Sequence, residues 1–143
     1  MYKLKTTAAF DSAHFLYGYE GKCSNIHGHH WVIEAEISSA QLQQNGVCRG
    51  MVIDFSDLKR ELRGIADSYD HSLIYEAGSL KSKTIEALEE EGFRLIEIPL
   101  RPTAENFAKI IYDSLFGKEL PVSKITVYET PENCASYEGF ENV

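Results

Sequence analysis

No stretch of this chain approaches the ~20 consecutive apolar residues that cross a bilayer, and no basic start followed by an apolar run marks a secretory signal. The expectation is a cytoplasmic protein without a membrane partner. Basic clusters are missing too: Lys+Arg number 14 against 22 Asp+Glu, the net charge is -8, and no Lys/Arg stripe is laid out for a phosphate backbone. Nucleic acid is therefore not expected as a partner, although an acidic surface still admits an anionic small substrate where a few basic groups line its site. Cysteine is scarce. Cys23, Cys48 and Cys134 are an odd number in a chain with no secretion signal, so they do not read as a disulfide framework, and at least one thiol is available for its reactivity. Repeats, low-complexity runs and linkers are also absent. What remains is ordinary for one globular domain over residues 1–143, with 43% hydrophobic and 25% charged residues.

Residues 2–10 are rich in Tyr, Thr and Ala with partial alternation and predict a strand, followed by a loop containing Gly18, Gly21 and Asn25. A second strand over 29–38 is clearer, because Trp31, Ile33, Ala35 and Ile37 alternate with more polar positions. The two would pair antiparallel. After a turn-like stretch and a short extended piece over 51–55, Ser56 is a plausible helix cap, with Leu58, Leu62, Ile65, Ala66 and Tyr69 on one helical face. A second helix is expected over 82–91, a short strand over 94–98, and a third helix opened by Pro102 and Thr103 and stopped by Gly117. A strand over 123–130 and a short strand in the tail complete the chain. Grouped strands and grouped helices indicate α+β: a four-stranded antiparallel sheet with helices on one face, interrupted by a helix-strand insertion over 74–101.

The segment Cys23-Ser24-Asn25-Ile26-His27-Gly28-His29 carries the densest chemistry. Strand residues two apart share a side, so His27 and His29 present two imidazoles to one point. His14, at the end of the preceding strand, can be brought beside them by antiparallel pairing. Three imidazoles are a usual ligand set for catalytic zinc, leaving one position for water or substrate. His30 has the opposite parity and should face away. Cys23 is either a fourth zinc ligand closing a structural site or a free thiol working beside the metal, and its spacing leaves both open. Asp70-His71 favours the working thiol, because a His with an adjacent carboxylate is a fitting proton partner; alone, the pair also reads as a helix-terminal turn. Glu129 shares the parity of Ile125 and Val127. It is thus either a core-facing carboxylate awaiting a ligand's N–H groups or a residue emerging into solvent. Thr103 and Glu105 read first as helix cap and dipole partner, with Thr103 also a candidate substrate contact beside Glu129.

Phe10-Asp-Ser-Ala-His14, Cys23-x-x-x-His27-Gly-His29, Asp70-His71, Pro102-Thr-Ala-Glu-Asn106 and Val127-Tyr-Glu-Thr130 lie in this order along nearly the whole chain. Together they resemble the 6-pyruvoyl-tetrahydropterin synthase superfamily, and within it the bacterial 6-carboxy-tetrahydropterin synthase branch of queuosine biosynthesis. The resemblance implies a tunnelling fold and zinc on His14, His27 and His29. It further implies Cys23 as catalytic thiol with Asp70 and His71 in proton transfer, and Glu129 as the grip on the pterin's amino-pyrimidine edge. It implies a pterin triphosphate, 7,8-dihydroneopterin triphosphate, as substrate. The products would be 6-carboxy-tetrahydropterin, acetaldehyde and triphosphate, or 6-pyruvoyl-tetrahydropterin in the sister branch. The three-residue gap between Cys23 and His27 is similar to that of the queuosine branch. A trimer-based homo-oligomer, often a hexamer, is implied as well, with Asp70-His71 able to serve a neighbour's Cys23. A non-catalytic zinc protein closed by Cys23 is the rival from another class.

Overall fold

The computed structural model describes residues 1–139; residues 140–143, which the expected domain includes, lie outside the described residues. In chain order come β1 (Tyr2–His14), β2 (His27–Ser39), α1 (Phe55–Tyr69), β3 (Ser72–Glu76), α2 (Ser82–Glu90), β4 (Leu95–Ile98), α3 (Ala104–Phe116), β5 (Val122–Tyr128) and β6 (Cys134–Glu138). A short 3-10 turn, Lys22–Ser24, sits between the first two strands.

The sheet has six strands in the order β4-β3-β1-β2-β5-β6, which corrects the expected four. The antiparallel quartet β1-β2-β5-β6 is present as read from the alternation. What the pattern did not reveal is the other edge. β3 pairs parallel with β1 through Ser12 opposite Ser72 and Ala13 opposite Leu73, and β4 pairs parallel with β3. The insertion is therefore a strand-helix-strand crossover that widens the sheet, as parallel strands require a crossing connection. Its first strand, Ser-Leu-Ile-Tyr-Glu, is short and lacks clean alternation, because Ser72, Ile74 and the adjacent Tyr75 are all buried. The residues 51–54 form no strand, and the cap of α1 is Asp54, whose carboxylate accepts from the Ser56 amide at 2.8 Å. Ser56 is instead inside the first turn, with its hydroxyl donating to the same carboxylate.

Leu58, Leu62 and Ala66 of α1 and Phe107, Ala108, Ile111 and Leu115 of α3 pack on Phe10, Trp31, Ile33, Ala35, Ile37, Ile125 and Val127. These two helices thus cover one sheet face. The other face carries charged ladders, with Lys3 3.1 Å and Lys5 3.6 Å from the buried Glu36. α2 buries none of its residues. Among the described residues no helix is long and apolar enough to cross a membrane.

The core's aromatic centre lies directly beneath the functional end of the sheet. Phe10 stacks on Trp31 with ring centroids 6.0 Å apart, and Phe107 meets Trp31 edge-on at 5.0 Å. Trp31 in turn touches the rings of His14 and His29 edge-on at 5.1 and 5.2 Å. Phe107→Ala should lower unfolding free energy by about 3–5 kcal/mol, since a cavity opens under Trp31. Urea denaturation checks this; a loss below about 1 kcal/mol would mean that the ring is not the packing centre described.

Candidate metal centre and its neighbourhood

Register places the histidines. Phe10 lies opposite Trp31, Ser12 opposite His29 and His14 opposite His27, so a single antiparallel pairing delivers three imidazoles to one side of the sheet end. Their rings are mutually close, with centroid separations of 4.5, 5.0 and 4.9 Å. Ligand atoms of His14, His27, His29 and Glu129 all lie within 4.8 Å of one another.

The main chain dictates which nitrogens face inward. Nδ1 of His14 lies 2.7 Å from the Pro102 carbonyl, and Nδ1 of His27 lies 2.6 Å from the Asn25 carbonyl. A carbonyl only accepts, so each Nδ1 carries the proton and each Nε2 presents a lone pair. The two Nε2 atoms then face each other at 3.0 Å. With both rings neutral, neither has a proton to offer the other, and the contact is repulsive unless a cation lies between them. Burial pushes the pKa of His14 down to about 4, partly opposed by its bond to Pro102, so at neutral pH this ring is in its metal-ready form. His29 is likewise lowered, by burial first, with the nearby Glu129 carboxylate pulling the other way.

His29 supplies a second sign of the same demand. Its Nε2 lies 2.8 Å from Glu129 Oε1, yet the approach lacks hydrogen-bond direction and this buried nitrogen has no hydrogen-bond partner. Nε2 of His14 is 3.8 Å from the same oxygen. Metal–imidazole bonds of 2.0–2.1 Å in tetrahedral array put ligand nitrogens about 3.3 Å apart. The donor chemistry and spacing fit a divalent metal ion.

Glu129 follows β5, where its amide donates to the Asn133 carbonyl at 3.0 Å and the chain turns toward β6. Its carboxylate is a third exposed and turned toward the imidazoles of His29 and His14. Cys23 occupies the middle of the 3-10 turn, half-buried, with its carbonyl accepting from the Leu16 amide at 2.9 Å. Its sulfur stands outside the group of converging ligand atoms. Thr103 caps α3, its hydroxyl accepting from the Asn106 amide at 3.2 Å, while the Asn106 side chain donates to the Arg101 carbonyl at 2.9 Å. Both bonds brace the Pro102 carbonyl behind His14.

Asp70 and His71 form the expected pair. Asp70 closes α1, and His71 Nδ1 lies 2.7 Å from its Oδ2. The other carboxylate oxygen accepts from the Asp11 amide at 2.8 Å, and this bond, followed by that to His71, holds Asp70 below the usual carboxylate range. His71 lines an open cleft of about 740 Å³ together with His30, Ala13, Leu73, Phe93 and Leu95, and Cys23 is not among the lining residues. His30 faces away from the three-histidine centre, as its parity predicts, and pairs with Asp11 at 2.8 Å.

A family model described as 6-pyruvoyl tetrahydropterin synthase matches residues 3–140. The chain belongs to the 6-pyruvoyl tetrahydropterin synthase family. It is 37% identical over 141 residues to the 6-carboxy-5,6,7,8-tetrahydropterin synthase of Haemophilus influenzae, covering 96% of this chain and 99% of that one. A protein of the same name from Aquifex aeolicus is 30% identical over 126 residues, with 81% and 75% covered. Among solved structures, the 6-pyruvoyl tetrahydropterin synthase of Caenorhabditis elegans shares the fold, with a TM-score of 0.68 at 24% identity over 96% of this chain and 95% of that one. A Wolinella succinogenes protein matches with a TM-score of 0.74 at 19% identity, over 96% and 98% of the two chains. The chain is thus a pterin synthase family enzyme with a candidate metal centre of three imidazoles and one carboxylate.

Nothing in the sequence signals that Asp11, Asn25 and Pro102 orient the site's side chains. Asn25 and Pro102 act through carbonyl oxygens, which residue identity does not advertise, and Asp11 acts mainly through its backbone. His14→Ala and His27→Ala should each weaken divalent-metal binding more than about 100-fold, beyond the 10–100-fold that a supporting residue costs. Competition with a chromophoric chelator measures this, and unchanged affinity in either variant would exclude that ring as a ligand.

Proposed function

We propose that this enzyme converts 7,8-dihydroneopterin triphosphate to 6-carboxy-5,6,7,8-tetrahydropterin, acetaldehyde and triphosphate, with zinc as its metal, as a carbon–carbon lyase serving queuosine biosynthesis. The observation that carries the reading is that ligand atoms of His14, His27, His29 and Glu129 converge within 4.8 Å of one another while the Cys23 sulfur is not among them. It favours an open metal with a separate thiol over a site closed by cysteine. The near full-length likeness to proteins named 6-carboxy-5,6,7,8-tetrahydropterin synthase supports the carboxy over the pyruvoyl product.

His14, His27 and His29 would hold the metal, which when bound supplies Lewis acidity to the hydroxyl and carbonyl oxygens of the substrate side chain. Cys23 takes and returns protons at the side-chain carbons. His71, its Nδ1 proton directed by Asp70, keeps Nε2 free to exchange those protons with the thiol. Glu129 accepts N–H groups of the amino-pyrimidine edge, with Thr103 at the same end of the site. The His71 ring is 80% exposed on a cleft that Cys23 does not line, which supports a homo-oligomer in which the pair serves a neighbouring chain.

Incubation of the zinc-loaded protein with the pterin triphosphate should yield the 6-carboxy product and acetaldehyde. Accumulation of 6-pyruvoyl-tetrahydropterin without any 6-carboxy product would overturn the branch. Cys23→Ala should keep its zinc and lose about 100-fold or more in kcat; loss of zinc with the thiol would instead restore the closed-site reading.

A further inference from the structure

His71 combines two features that ordinarily conflict. It is a non-glycine residue at φ 53°, in the left-handed region, and its side chain is 80% exposed, so packing does not hold it there. Hydrogen bonds must therefore hold the segment. On the near side, the His71 amide donates to the Asp11 carbonyl at 2.7 Å. Beside the Asp11 amide bond to Asp70 and the Ser72 hydroxyl bond to the Tyr69 carbonyl, a further set of restraints comes from a residue of the insertion, Arg94, which immediately precedes β4.

α1 ends without a basic residue in its last turn, leaving its terminal carbonyls without local positive charge. The Arg94 guanidinium supplies it across the fold. Nη1 donates to the Asp70 carbonyl at 2.6 Å and the Asp67 carbonyl at 3.3 Å, while Nη2 donates to the Ser68 carbonyl. The Arg94 carbonyl meanwhile accepts from the Leu73 amide at 3.0 Å. One residue thus grips the chain before His71 with its side chain and after it with its backbone.

We propose that Arg94 is the positioning residue of the Asp70–His71 pair, and that the strand-helix-strand insertion exists in the site as its brace. The guanidinium fork fixes the Asp70 peptide, which fixes the carboxylate, which in turn holds the proton on His71 Nδ1 and leaves Nε2 free for proton exchange. Arg94 touches no reacting atom. The proposal rests on the proton-transfer role given above to His71, and its tests separate the two.

Arg94→Met keeps the apolar stem and removes all donors; Arg94→Lys keeps the charge but not the fork. In Arg94→Met, kcat should fall about 10- to 100-fold, the scale of a misplaced catalytic group, with KM and zinc content little changed. Arg94→Lys should recover part of the loss. Independently of turnover, nitrogen NMR of the His71 ring at alkaline pH should show the Nδ1–H tautomer in the parent protein and a shift toward Nε2–H in Arg94→Met. If Arg94→Met is unfolded, the same measurements on Arg94→Lys decide, with an intermediate tautomer balance and kcat expected. Parent-like kcat together with a parent-like tautomer in the folded variant overturns the proposal. A tautomer shift in a protein that never turns over the pterin triphosphate would uphold the brace and refute the proton-transfer role.

Discussion

The pairing register of β1 with β2 is the constraint on which the site depends. Because strand side chains alternate, a slip by one residue would send His27 and His29 to the charged face and break the apposition of His14 with His27. The hydrophobic pattern guards against that slip. Phe10 and Trp31 sit opposite one another in the same ladder and stack within the core, so the burial that stabilises the sheet also aligns the imidazoles. Packing and chemistry are therefore one specification at this end of the molecule.

A second layer orients what the register delivers. Carbonyls of Asn25 and Pro102 take the Nδ1 protons of His27 and His14 and turn those two Nε2 atoms inward, where His29 and Glu129 meet them. The Pro102 carbonyl is braced in turn by the first turn of α3, where Thr103 and Asn106 bond within the loop. The Asp70–His71 pair depends on a different support, the junction of α1 with the widened edge of the sheet. The two halves of the site nonetheless share β1, which carries His14 on one side and holds Asp70 and His71 through the Asp11 main chain on the other.

Much of this was legible in the sequence because it rests on period-two parity. His14, His27 and His29 on one side, His30 on the other, and the four antiparallel strands all follow from alternation. Of the two extra strands, β4 was expected over 94–98 but not its place in the sheet, and β3 was not legible for equally physical reasons. β3 is five residues long and buried on adjacent positions, and a parallel pairing leaves no local turn signal. The helix cap shifted from Ser56 to Asp54 because both residues are cap formers and only the carboxylate geometry distinguishes them. Glu129 had no visible partner because its neighbours are imidazoles a hundred or more residues away in sequence. Arg94 was silent because all its side-chain partners are carbonyl oxygens.

The central claim is that the converging nitrogens of His14, His27 and His29 call for a cation whose shell excludes the Cys23 thiol. X-ray absorption at the zinc edge of the zinc-loaded protein tests it most directly. The expected spectrum has a shell of light atoms at about 2.0–2.1 Å with the multiple-scattering signature of imidazole, and no sulfur. A sulfur contribution at about 2.3 Å, abolished by replacing Cys23, would contradict the account.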